Sequence, residues 1–391
     1  MIWLFVIFLV AELFYFRIAD KFNIIDKPNQ RSSHSYITRR GGGIIFPFAW
    51  IVYSSYSGLN LPWFTLGLLI ISGISFWDDV REVGIRTRIS LHIIALSLAF
   101  YDLGIVNMLP WWGSLACLII SIAALNAINF MDGINGITGL YALCFWVSVA
   151  LFAGRLVPGE IWDLASPLPY MILSLLIFGF FNFRKKAVCF AGDVGSVSMA
   201  YLMLGMTAYM IFRPDGVLFT NIHDLKSGNY TPVFDLKYLL LLSVYGVDSL
   251  LTIIHRLFLK ENIFKGHRKH LYQYMVNELK LPHLAVASCY AAIQIIINFW
   301  VLNFEITILN AFSMLTVLSV VYVSLKVWII QQTSEPVFSA LRAIKPVSTL
   351  KKPVELVALE DNLDDLLPPI VSSRKAMYDH ESSRQKESVR S

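Results

Sequence analysis

Two adjacent carboxylates, Asp78 and Asp79, close an apolar run ending in Ile-Ser-Phe-Trp. At a membrane edge such a pair repels itself unless a proton or cation relieves it. The pair is therefore a candidate for metal-proximal chemistry or proton acceptance, against the plainer alternative of a solvated helix end. Arg86 and Arg88 follow in what reads as a short loop, where they could pair with these carboxylates or grip a phosphate through two parallel N–H donors. Asn126, Asn129 and Asp132 recur every third position and fall along one stripe if the helix continues through them. Their oxygens are hard ligands suited to Mg²⁺, while Gly133, Gly136 and Gly139, interspersed with Asn135, let backbone approach a ligand or a neighbouring helix. A glycine-mediated packing face with polar glue is the alternative. An EF-hand is excluded, because regularly spaced acidic ligands and the closing Glu are missing.

Gly192-Asp193-Val-Gly195-Ser196 stands just before another apolar span. Free N–H groups at a helix start favour anions, and a carboxylate there can hold a cation against a phosphate; alternatively, Asp193 is only the N-cap. Asp248 lies inside a span, where a carboxylate is a functional candidate by default. His267-Arg268-Lys269-His270 mixes imidazole, guanidinium and ammonium groups, a combination suited to a diphosphate. A zinc site would need two more ligands, and no Cys lies in that loop. The first loop, from Asp26 through Arg31-Ser-Ser-His34 to Thr38-Arg-Arg-Gly-Gly-Gly43, adds donors and a flexible hinge.

These clusters need helices to hold them. With 56% hydrophobic residues and a mean hydropathy of +0.61, the 391-residue chain is too apolar for a soluble domain. Apolar runs near twenty residues satisfy their own backbone in lipid only as helices, and no barrel-like alternation is present. We expect eleven spans, near 1–19, 44–58, 61–77, 90–106, 111–129, 137–154, 168–182, 196–212, 238–256, 284–302 and 306–329. The first lacks a basic leader and a small-residue cleavage site, so it reads as a retained helix, with Glu12 inside it unexplained. One set of alternate loops holds seventeen Lys and Arg residues and the other four. The richer set is assigned to the cytoplasm, together with every polar cluster above and the C-terminus.

Cys117, Cys144, Cys189 and Cys289 lie in or beside apolar spans without CxxC spacing, so disulfides are not expected. The net charge of +5 fits loops near anionic lipid, and no basic nucleic-acid motif appears. The expected organisation is a membrane domain over 1–330 and a soluble tail over 331–391, with a short helix near Pro353 to Leu367 and a disordered end.

In order, DKPNQRSSH, RGGG, WDD, NAINFMDGINGI, FAGDVGS, VDSLLTIIHR and HRKHLYQ resemble the polyprenyl-phosphate N-acetylhexosamine-1-phosphate transferases over about 20–330. The RSSH segment and HRKHLYQ ending look most like the branch that starts O-antigen or capsule chains on undecaprenyl phosphate. The resemblance implies an all-α polytopic fold of ten or eleven helices around a cytoplasm-facing cleft, in a bacterial inner membrane. It implies Mg²⁺-dependent transfer of a GlcNAc-, QuiNAc- or FucNAc-type sugar-1-phosphate from a UDP-sugar, releasing UMP, with Mn²⁺ as a substitute metal. Carried over by motif, Asp193 and Asn129 would ligate the metal, and Asp78 and Asp79 would sit beside the lipid phosphate. Asp132 and Asn135 would occupy the nucleotide side; Arg88 would be the basic group after the Asp pair; His267, Arg268 and His270 would face the diphosphate or sugar; and Asn126 and Asp248 are expected to be substrate-binding. Arg39 departs from the usual Pro before the glycine run, and His255 from a common Arg. The expected partners are the two substrates and the bilayer, without nucleic acid, and a homodimer is compatible with this reading. The rival reading is a transporter or lipid flippase with a cytoplasmic cation site, which calls for polar groups at mid-bilayer in broken helices.

Overall fold

The computed structural model describes residues 1–28, 36–156, 163–212, 234–262 and 267–343, with side chains of the last helix described to residue 333. The Arg31-Ser-Ser-His34 segment and the tail beyond 343, including Pro353 to Leu367, lie outside the described residues. The helices are α1 (Ile2–Phe22), α2 (Ile45–Tyr56), α3 (Pro62–Val80), α4 (Ile85–Asp102), α5 (Ile105–Met108), α6 (Trp111–Met131), α7 (Ile137–Leu156), α8 (Leu168–Asn182), α9 (Gly192–Phe212), α10 (Ser243–Phe258), α11 (Leu271–Asn277), α12 (His283–Asn303) and α13 (Ile308–Ala343). Short 3₁₀ segments, Gly42–Ile44 and Leu236–Leu242, lead into α2 and α10.

Every expected span is helical, and the chain is an all-α polytopic membrane protein. Among the described residues eight helical stretches are long and apolar enough to cross a bilayer. Helices α2 and α8 are shorter, and α4 carries Arg86 and Arg88 in its first turns. The chain divides into one unit over Met1–Ser324 and another over Leu325–Ser391. The last helix runs on to Ala343, past the compositional change near 330.

Helix α9 is the centre of the first unit. In its membrane window 89% of the residues are buried, against 17% for α6, so α9 packs on protein all round while α6 offers most of its surface to lipid. Its neighbours include α2, α3, α6 and α7. Gly195 lets it meet the start of α2: a Cβ on Gly43 would lie 2.2 Å from the Gly195 Cα, so the two backbones cross where side chains cannot fit.

A small seam fixes the first loop to α9. Strands β1 (Ile25–Asp26) and β2 (Thr38–Arg39) pair antiparallel, and Arg39 also bridges Cys189 in parallel. The Phe190 N–H donates to the Arg39 carbonyl at 2.8 Å, that of Gly42 to Phe190 at 2.8 Å, and that of Gly43 to Ala191 at 3.0 Å. Arg39 itself is tied to Asp20 through two hydrogen bonds of 2.7 and 2.9 Å, which gives the departure from Pro a structural role. The seam holds the next residue, Arg40, over the start of α9.

Helix α10 is preceded by a 3₁₀ segment whose backbone would be costly in lipid. Gln294 of α12, fully buried, answers it. Its Nε2 donates to the Leu240 carbonyl at 3.0 Å, and its Oε1 accepts from the Val244 N–H at 3.0 Å and the Tyr141 hydroxyl at 2.7 Å. Gln294→Leu strands these groups, each orphan costing about 1–3 kcal/mol. The expected result is a clearly lowered unfolding temperature for the detergent-solubilised protein, read by intrinsic fluorescence; an unchanged melt would remove Gln294 from this role.

Candidate active site

Asp78 and Asp79 occupy the last turn of α3, beside the start of α9. Asp79 has no exposed side-chain surface. Its Oδ1 accepts from the Asp193 N–H at 2.8 Å and its Oδ2 from the Val194 N–H at 3.0 Å. A carboxylate from one helix thus caps another, where unpaired N–H groups and the helix dipole favour negative charge. Gly192, at φ +71°, makes room: a Cβ there would stand 2.6 Å from Asp79 Oδ2. Since Asp79 does the capping, the Asp193 side chain is left for other contacts.

Asp193 sits between two guanidinium groups. Arg40 places Nε 2.6 Å from Asp79 Oδ1 and Nη2 3.3 Å from Asp193 Oδ1. Arg88 places Nη1 2.8 Å from Asp78 Oδ2 and 3.9 Å from Asp193 Oδ2. Asp78 also accepts from the Val83 N–H at 2.6 Å. Three carboxylates therefore face two arginines, and Asp193, with 20% of its side chain exposed, is the most open of the three. Arg86, expected to share this pairing, is exposed in the first turn of α4 and makes no ion pair among the described residues. Arg40 is the residue the sequence reading missed; its only signals were the adjacent glycines and a charge already used to assign topology.

Asn129 meets α9 through Ser196, whose hydroxyl donates to Asn129 Oδ1 at 2.6 Å. The expected stripe ends early, because α6 stops at Met131 and Asp132 has left helical geometry. Asn126 turns back on its own helix, its amide donating to the Ile122 carbonyl at 2.7 Å. Asn135 is buried, and its amide donates to the Tyr36 hydroxyl at 3.0 Å and the Arg184 carbonyl at 3.1 Å, joining three loops.

Asp132 retains partial exposure, yet surrounding protein withdraws its carboxylate from water; this desolvation, reinforced by Asp193, pushes it up to about 7. In the unfolded chain the same group ionises near 4. Between these values the folded state binds more protons, so this contribution makes stability fall as pH rises. In chelator, the unfolding temperature of the wild type is expected to drop between pH 5 and 8, and Asp132→Asn to flatten that slope. Parallel slopes in the two proteins would count against the buried proton.

The His267–His270 loop reaches the same end of α6. Phe130 and His267 have ring centroids 6.4 Å apart, and the Tyr272 hydroxyl donates to the Phe130 carbonyl at 3.2 Å. Burial, then His270 and Arg256, pushes His267 down to about 3, so its ring is neutral at physiological pH. Lys269 is paired with Glu261, which also takes Arg256 Nε at 3.3 Å. Desolvation lowers Arg268, which feels the opposing charge of Glu278. Asp248 stands behind this loop, its Oδ1 2.9 Å from His270 Nδ1.

Among the described residues no three His, Cys, Asp or Glu side chains form a ready-made metal cage. The arrangement is instead a crowded carboxylate cluster interleaved with guanidinium groups, next to a loop of imidazoles and cations.

Residues 61–211 match the family model described as glycosyl transferase family 4. Over this stretch the chain is similar to that family, and the match supports a transferase of the polyprenyl-phosphate sugar-phosphate class. No curated protein matches the chain. The family match spans Asp78, Asp79, Arg88, Asn126, Asn129, Asp132, Asn135 and Asp193, while Arg40, Asp248 and His267 to His270 lie outside it. The structure ties two of these outer residues to the matched stretch: Arg40 by ion pairs to Asp79 and Asp193, and His267 by its ring against Phe130.

Proposed function

We propose that the protein transfers an N-acetylhexosamine-1-phosphate of the GlcNAc, QuiNAc or FucNAc type from a UDP-sugar to undecaprenyl phosphate, giving the lipid diphosphate-sugar and UMP. This would be the first membrane step of O-antigen or another cell-surface polysaccharide, carried out at the cytoplasmic face of a bacterial inner membrane. The observation that carries the reading is the Asp78, Asp79 and Asp193 cluster threaded by Arg40 and Arg88 at the start of α9.

Nucleophile and donor are both anionic, so their approach needs positive charge and alignment. Arg88 and Arg40 supply fixed charge. The carboxylates outnumber them, and this excess negative charge would draw a divalent cation, which Mg²⁺ would supply through one or two carboxylate or amide oxygens plus substrate phosphates. Asp193 and Asn129 would hold it, and when bound it would neutralise phosphoryl oxygens. Mn²⁺ would substitute.

We favour direct attack. An oxygen of the lipid phosphate bonds to the phosphorus bearing the sugar, the bond from that phosphorus to the bridging oxygen breaks, and UMP leaves with the electron pair. Both oxygens of Asp78 and of Asp79 are engaged by N–H or guanidinium donors, which supports positioning rather than nucleophilic roles for them. The test is incubation of the purified protein with undecaprenyl phosphate, Mg²⁺ and a panel of UDP-N-acetylhexosamines, scoring UMP and lipid product. Release that requires lipid and metal supports the assignment. No turnover across the panel from folded protein overturns it, and a sugar-phosphate adduct trapped on Asp78 or Asp79 overturns the one-step route.

A further inference from the structure

Asp248 is a buried carboxylate surrounded by donors. Its Oδ2 accepts from the Tyr290 hydroxyl at 2.7 Å, and its Oδ1 from the Thr252 hydroxyl at 3.2 Å, the Tyr322 hydroxyl at 3.3 Å and the Leu271 N–H at 3.4 Å. The shortest contact to Oδ1 is His270 Nδ1, at 2.9 Å. Only 1% of Asp248 is exposed, and both its oxygens are already taken up by groups of the protein itself. Its contacts turn inward, onto His270.

The His270 ring lies between two others, with centroids 4.9 Å from His267 and 5.7 Å from Tyr272, at interplanar angles of 28° and 20°. Tyr272 in turn closes against the loop of Asp132: its hydroxyl bonds Phe130, and a Cβ on Gly133 would lie 2.2 Å from that hydroxyl. The stack fixes the plane of His270 and Asp248 fixes its rotation. His270 Nε2 is buried and has no hydrogen-bond partner among the described residues. A carboxylate on Nδ1 sets the tautomer of an imidazole and leaves the other nitrogen for chemistry or ligand.

We propose that Asp248 is a positioning residue, not a substrate ligand: it holds His270 as the Nδ1–H tautomer, so that the unpartnered Nε2 presents a lone pair to an N–H or O–H group of the bound substrate. This rests on the transferase reading only for the identity of the substrate; the tautomer itself does not depend on it.

The test uses full-length protein labelled with ¹⁵N-histidine, in nanodiscs at pH 8, the His270 resonances being those lost in His270→Gln. The expected wild-type pattern is a protonated Nδ1 and an unprotonated Nε2. Asp248→Asn is expected to move the proton to Nε2 and to lower kcat about 100-fold, with KM for the UDP-sugar changed less than about threefold. Asp248→Glu is expected to restore the tautomer and part of the rate. A wild-type ring protonated on Nε2, or on both nitrogens, overturns the proposal even if Asp248→Asn does not fold. So does an Asp248→Asn protein with an unchanged tautomer, or one whose loss lies wholly in KM. If no UDP-sugar turns over, the resonances still decide the tautomer, and the failure belongs to the transferase reading alone.

Discussion

Asp193→Asn is expected to lower sugar-phosphate transfer by about 10²- to 10³-fold, the scale of removing one electrostatic group from a transfer site, while the protein stays folded. The reason lies in the division of labour between neighbouring carboxylates. Asp79 accepts the N–H groups of residues 193 and 194, so the start of α9 does not depend on the side chain of Asp193. Asp193 has looser contacts, 3.3 Å to Arg40 and 3.9 Å to Arg88, and the largest exposure of the three acids. Neutralising it also removes a like charge from a crowded cluster, so the unfolding temperature in chelator should hold or rise. Asp79→Asn makes the contrast. An amide in that place must turn its NH₂ toward N–H or guanidinium donors, and that variant should lose stability along with activity. The paired measurement is Mg²⁺-dependent UMP release together with a thermal melt for each variant. Equal destabilisation by the two substitutions would contradict this division.

How much of this was legible in the sequence follows from physical cost. Charge in an apolar chain is expensive, so Asp78, Asp79, Asp193 and Asp248 stand out without any structure. The spans were legible because hydropathy and length suffice to mark them. The pairing partners were not. Arg40 meets Asp79 across a separation that no helical period encodes, and it was hidden among arginines that also fit a topological role. The Asn126, Asn129 and Asp132 spacing pointed to one continuous stripe. The helix ends before Asp132 because the following turn has its own anchors: Gly136 at φ +84° and its N–H donating to Asn182 Oδ1 at 2.8 Å. Asp248 was legible as costly but not as a support for His270, since the partner lies across the α10–α11 connection. The transporter reading called for broken helices at mid-bilayer; the 3₁₀ segment found here leads into α10 from the end opposite its His255 and Arg256, and Gln294 closes it with structural hydrogen bonds.

Arg40→Ala is expected to affect both function and fold. Arg40 links Asp79, whose side chain is fully enclosed, to Asp193. Its own carbonyl accepts from the Tyr15 hydroxyl at 2.5 Å, so the backbone is held from behind while the guanidinium reaches forward. Removing one partner of such a pair leaves an uncompensated buried charge, at a cost of about 3 kcal/mol. Two α9 N–H groups still solvate Asp79, which argues for a destabilised rather than an unfolded protein. Arg40→Lys should recover little, because one ammonium cannot reproduce Nε on one carboxylate and Nη2 on another. Excess cation supplies the decisive control. With the arginine gone, the Asp78, Asp79 and Asp193 cluster carries a larger negative excess, and raising Mg²⁺ should recover part of the thermal stability of Arg40→Ala while leaving Arg40→Gln and Arg40→Ala equally slow in transfer. Stability that ignores Mg²⁺ would place the cation away from these carboxylates, and full activity in Arg40→Ala would reduce Arg40 to a topological charge.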